Sequence, residues 1–187
     1  MDKQALWAPW RMGYIRTLVT EEKQQGFGRE RGCFLCEASS PDLTPDAVCD
    51  RLILARDEHA VLLLNRYPYA NGHLLVAPLL HVPDLTDLAP EQRAGMMELC
   101  NLGCRLLRIA MNCHGINIGV NLGRVAGAGV PGHAHMHMVP RWHGDTNFMD
   151  IVGNVRVIPQ ALEDAYASLV HALEVVHRED HGEGIDD

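Results

Sequence analysis

Three short apolar runs, Arg51 to Ala55, Ala60 to Leu64 and His73 to Ala77, are separated by Asp57-Glu58 and by Pro68-Tyr69-Ala70-Asn71-Gly72. Runs of that length bounded by turn residues predict strands, and here an antiparallel meander. The period then changes. From Pro90-Glu91 to about Met111, the residues Met97, Cys100, Cys104, Leu107 and Met111 recur at helical spacing, which predicts a long helix entered through proline. Ile116 to Asn121 and Ala134 to Val139 predict two more strands, joined by a glycine-rich connection from Gly123 to Gly132. A last helix is expected from about Pro159 to His177, with Leu162, Ala165, Leu169, Ala172 and Val176 on one side. The pattern gives an α+β fold: an antiparallel sheet of about five strands, the long helix packed on it, and a C-terminal helix.

Length fits that outline, since 187 residues and 20.7 kDa suit one compact domain with an appendage. The expected division is an N-terminal docking arm over 1–32, carrying Trp7 and Trp10, a catalytic domain over 33–178, and an acidic, disordered tail over 179–187. The arm's tryptophans read equally well as docking anchors or as a core contribution. The longest apolar run, Leu74 to Leu80, is too short to cross a bilayer, and no signal peptide is visible, so a cytoplasmic protein with six reduced cysteines is expected.

Charge narrows the chemistry. Only Lys3 and Lys23 are lysines, against 14 arginines, so neither a P-loop nor a Schiff-base lysine can be placed in the body of the fold. The net charge of −8 is concentrated at the C-terminus: without residues 179–187, 16 basic residues face 19 acidic ones. A near-neutral body lacks the footprint of a general nucleic-acid binder.

The most informative segment is Gly132-His133-Ala134-His135-Met136-His137-Met138-Val139. In a strand, side chains alternate between faces, so the three imidazoles are expected on one face and Ala134, Met136 and Met138 on the other. Such a row could serve a metal, a proton relay or a nucleophile. No Asp or Glu lies between Glu98 and Asp145, while Asn121, Arg124 and the glycines up to Gly129 offer donors to anions. A histidine attacking a phosphoryl group fits this inventory.

These residues resemble the histidine triad family, whose signature is His-φ-His-φ-His-φ-φ. Asn65-Arg66-Tyr67-Pro68 with Gly72-His73-Leu74, Leu6-Trp7-Ala8-Pro9-Trp10-Arg11, and Pro140-Arg141-Trp142-His143-Gly144 extend the resemblance, pointing to the branch that acts on dinucleoside polyphosphates. The resemblance implies a phosphorylase or hydrolase cleaving a diadenosine tetraphosphate-like substrate at the α-phosphate through a nucleotidyl-histidine, with phosphate or water as acceptor. The alternatives are a nucleoside phosphoramidate hydrolase and a non-catalytic nucleotide sensor. By the same resemblance His135 is the nucleophile, His137 and His73 polarise phosphate oxygens, and His133 buttresses the nucleophile or binds metal. Asn121 and Gly129 hold phosphate, Asn65 contacts the ribose, and Leu35 belongs to the adenine pocket. A homodimer is also implied.

Cys33-Phe34-Leu35-Cys36 is half a zinc site by spacing. The resemblance completes it with His81 and His133, giving a structural Cys2His2 zinc. Cys100 and Cys104, one helical turn apart, read as core residues, with a metal or redox role the alternative. His143 is the outlying histidine that could approach a second nucleoside.

Overall fold

The computed structural model describes residues 32–145 and 160–182. The N-terminal arm with Trp7 and Trp10, and the last residues of the tail, lie outside them. Two short helices, α1 (Phe34–Ala38) and α2 (Pro45–Asp50), precede β1 (Ile53–Arg56), β2 (Ala60–Leu64) and β3 (Leu74–Pro78). The long helix α3 (Pro90–Met111) follows, then β4 (Gly115–Val120), β5 (Met136–Arg141) and the C-terminal helix α4 (Leu162–His181). All strand pairings are antiparallel in the order β1-β2-β3-β5-β4, so the meander is present and β4 forms an outer edge.

The sheet buries both faces, but against different partners. On one side Leu62, Leu64, Leu74, Val76 and Met138 pack with Met96, Leu99, Leu106 and Leu107 of α3 and with Ala165, Leu169, Ala172 and Val176 of α4. On the other, Val61, Leu63, Leu75 and Ala77 pack beneath Cys33, Leu35 and Ala38 of the α1 segment. This alternation by residue number along β2 and β3 is the period-two rule of strands applied to a sheet covered on both sides.

The long helix starts where proline predicts: Pro90 occupies its first turn, and the Gln92 side chain accepts the Ala89 N–H at 2.9 Å. Its apolar face differs from the expected one. Met97 is 54 % exposed, while its neighbour Met96 is buried, because the packed stripe runs through Gly95, Met96, Leu99, Cys100, Gly103 and Leu106. Two members of that stripe are glycines. A Cβ on Gly103 would stand 2.8 Å from the Met138 sulfur, so the bare backbone lets α3 seat directly behind β5.

The acidic tail was expected to begin at residue 179, but α4 continues to His181. Glu179 and Asp180 both take hydrogen bonds from the Arg105 guanidinium of α3, at 3.0 and 2.9 Å. A partner 74 residues earlier in the chain, rather than local helix pattern, holds those acids in ordered structure.

Candidate active site

Strands β3 and β5 are adjacent, and their pairing brings the distant histidine of one beside those of the other. His137 stands opposite Leu75 of β3 and Gly119 of β4. Directly paired residues project to the same face, so His137 lies on the face away from α3, while Met138, fully buried, enters the α3 core. The expected row of three imidazoles is corrected by a bend. Strand β5 begins only at Met136, and the preceding residues are bent and tied to the chain after β3 by the Ala134 N–H, which donates to Val82 O at 2.7 Å. The His135 and His137 rings stay together, edge-on at 4.8 Å, whereas the His133 ring turns toward His81, at 5.1 Å.

Each ring's proton can be located from a partner that can only donate or only accept. His135 Nδ1 lies 2.8 Å from the His133 carbonyl, which can only accept, so Nδ1 carries the proton and Nε2 keeps a lone pair. Burial to 4 % exposure lowers the pKa of His135 below the usual histidine value and outweighs the opposing hydrogen bond to His133. The ring is therefore neutral at pH 7, with its nucleophilic nitrogen available.

The second pair has the complementary pattern. The Tyr69 backbone N–H donates to His73 Nδ1 at 3.1 Å, which places the His73 proton on Nε2. That Nε2 is 3.1 Å from His137 Nδ1, which must accept, so the His137 proton sits on its own Nε2. Asn121 Nδ2 faces this N–H from 3.5 Å. Two donors that face each other do not bond, but an anionic oxygen between them accepts from both.

His73 does not reach phosphate as expected. It is fully buried, and both of its ring nitrogens are engaged by protein groups, so it acts on the site through His137. Leu35 is likewise corrected: it is fully buried with Ala38, Val61, Leu63 and Leu75, and its place is in the core under α1. Asn65 is 8 % exposed between Tyr67 and His73. Gly129 is half-buried in the loop after a 3-10 turn, Arg124–Ala126, whose flanking Gly123 and Gly127 both have positive φ. His143 stacks on His114 at 4.6 Å and belongs to the far end of β5. Tyr69 was not singled out from the sequence: its ring lies 4.6 Å from His73 and 5.6 Å from His137, but it is hidden in a segment that reads only as a turn.

Cys33, Cys36, His81 and His133 converge, their four candidate ligand atoms lying within 4.8 Å of one another. Zinc bonds of about 2.3 Å to sulfur and about 2.0 Å to nitrogen at tetrahedral angles give a sulfur–nitrogen separation of about 3.5 Å. His133 Nδ1 is 3.5 Å from both sulfurs, and His81 Nδ1 is 3.0 Å from Cys36 Sγ. His133 Nε2–H donates to Pro78 O at 2.9 Å, which leaves Nδ1 as the ligand atom. The four residues fit a closed structural zinc site, tying α1 to the end of β3 and the approach to β5.

Comparison with known proteins gives a consistent setting. The HIT domain matches residues 47–144. An AP-4-A phosphorylase of Mycobacterium tuberculosis is 36 % identical over 161 residues, covering 86 % of this chain and 80 % of that protein. An asymmetrical bis(5'-nucleosyl)-tetraphosphatase of Schizosaccharomyces pombe is 30 % identical over 100 residues, 54 % of each chain. Among solved structures, a zinc-bound histidine triad family protein from Mycobacterium smegmatis superposes with a TM-score of 0.62 at 31 % identity, covering 79 % of this chain and 97 % of that one.

Proposed function

From its membership of the HIT domain family, to which the chain belongs, we propose an enzyme that cleaves dinucleoside polyphosphates of the diadenosine tetraphosphate type at the α-phosphate. The observation that carries this reading is the pair of opposite proton states on neighbouring rings: a bare Nε2 on His135 and an N–H on His137 Nε2. His135 Nε2 attacks the α-phosphorus, forming a P–N bond as the P–O bond to the departing nucleotide breaks and its electron pair leaves with that oxygen. His137 and Asn121 hold the phosphate oxygens through the two donors described above. In the second half the P–N bond breaks. Inorganic phosphate as acceptor yields ADP beside the ATP already released; water yields AMP.

Supporting roles go to His73, which orients His137, and to the glycine-rich loop through Gly129, whose N–H groups can meet the phosphate chain. Zinc, when bound by Cys33, Cys36, His81 and His133, supplies a structural tie and no chemistry to the reaction. The reading extends to a cytoplasmic homodimer. Among the described residues no helix is long and apolar enough to cross a membrane. Edge strand β4 offers a second copy its outer backbone groups and the 45 % exposed Ile118. Light scattering should give twice the chain mass at micromolar concentration, and a clean monomer would remove the dimer.

The deciding experiment is acid-quenched mass spectrometry during turnover of diadenosine tetraphosphate, with and without phosphate. A nucleotidyl adduct on the peptide containing residues 133–137 is expected. An adduct elsewhere rejects the mechanism, and absence of turnover favours a sensor.

A further inference from the structure

We propose that Asn65 is a positioning residue that fixes the proton on His137, acting through His73 rather than by holding the ribose. Asn65 closes β2, and its own N–H donates to His73 O at 2.8 Å, so the two residues face each other across the β2–β3 turn. The orientation of its side-chain amide is not free. The Tyr67 N–H donates to Asn65 Oδ1 at 3.0 Å, and since a backbone amide only donates, the oxygen is assigned and Nδ2 is turned the other way. There it meets His73 Nδ1 at 3.3 Å.

Two donors therefore converge on one ring nitrogen: the Asn65 amide and the Tyr69 N–H. Both exclude a proton from His73 Nδ1. The exclusion passes along the line of rings, because a His73 proton confined to Nε2 must be given to His137 Nδ1, 3.1 Å away, and His137 is left with its N–H aimed at the site. A reversed pattern would present a lone pair to a phosphate oxygen, which repels it. The turn from Asn65 to His73 thus turns backbone donors into the sign of a hydrogen bond at the reaction centre.

A ribose contact needs an amide end left for the sugar. Here the carbonyl end is bound to Tyr67, the amino end faces His73, and the residue is only 8 % exposed.

The two roles predict opposite rankings of the same two variants. In Asn65→Asp the group facing His73 becomes an acceptor, which draws a proton onto Nδ1 and competes with the Tyr69 N–H. In Asn65→Ala that N–H remains and still holds the pattern. With diadenosine tetraphosphate, Asn65→Asp should lose roughly tenfold or more in kcat with KM within about twofold, and Asn65→Ala should lose less. A ribose contact predicts the reverse, since a carboxylate still accepts from sugar hydroxyls and alanine does not.

The kinetic arm rests on the proposed nucleotidyl transfer; a second arm does not. Long-range proton–nitrogen spectra of the whole protein labelled with 15N-histidine, without substrate, should show His73 and His137 protonated at Nε2. Both sets of signals should move in Asn65→Asp. If the wild-type spectra place the His73 proton on Nδ1, if Asn65→Asp leaves both rings unchanged, or if Asn65→Ala is the worse variant through KM, the proposal fails. If the protein cleaves no dinucleoside polyphosphate, the spectra alone decide it.

Discussion

His133 and His135 lie two residues apart, both are buried, and each gives one ring proton to a backbone carbonyl, yet they end with opposite nitrogens exposed for work. His133 donates from Nε2 to Pro78 and turns Nδ1 toward two cysteine sulfurs. His135 donates from Nδ1 to His133 and is left with Nε2 on the side of His137. The residue type, and nearly the depth, are the same. What differs is which carbonyl lies within reach, and that is set by the bend before Met136. A short stretch of chain thus has a metal pole and a chemical pole, and the boundary between them is a choice of tautomer.

The strongest way to break this division is at the chemical pole. His135→Ala should lose about a thousandfold or more in turnover, about 4 kcal/mol of transition-state stabilisation, while keeping its zinc and its affinity for nucleotide; steady-state rates, metal content and nucleotide titration measure the three. Cys33→Ser attacks the other pole. It should lose zinc and about 3 kcal/mol of stability, seen as a fall of roughly 10 °C in Tm, with residual turnover in the fraction that stays folded. Full activity and stability in protein shown to be free of zinc would erase the metal pole altogether.

His137→Ala sharpens the comparison from within the chemical pole, because it removes a donor and not the nucleophile. About a hundredfold loss of rate with weaker phosphate binding is expected. His133→Ala tests the boundary: it should release metal but keep much of the chemistry, since the group that His135 binds is the backbone carbonyl, which alanine also has. The smallest effect lies behind the sheet. The Cys100 thiol is pushed up to about 11 from 9.0, by burial first and by Cys104 second, so its contribution is complete below pH 9 and is lost as pH rises toward 11. Alkaline unfolding should be shallower in Cys100→Ala, and native Cys100 should alkylate at pH 8 far more slowly than the exposed Cys49.

The sheet was legible where local pattern and tertiary demand coincide. Ala60 to Leu64 is an unbroken apolar run because β2 is buried on both faces, and Pro90 marks the start of α3 because its ring fits a first turn. The helix face was misread for a definite reason: Gly95 and Gly103 lie on the packed side, and a periodicity that counts apolar side chains passes over residues that have none. The acids at 179 and 180 read as tail because their partner, Arg105, is far away in the chain. The histidines themselves were legible as a cluster, but neither the depth of His73 nor the direction of a ring proton has a signature in sequence. Both depend on where Tyr69 N–H and the carbonyls of Pro78 and His133 come to lie.

Gly119 pairs with His137 across β4 and β5, and a Cβ built there meets nothing within 4 Å. Any larger residue would fit the strand and put its atoms beside the imidazole. The approach to the reacting ring is therefore kept open by an omitted side chain, and its width can be adjusted one methyl at a time from a strand that contributes nothing else to the chemistry.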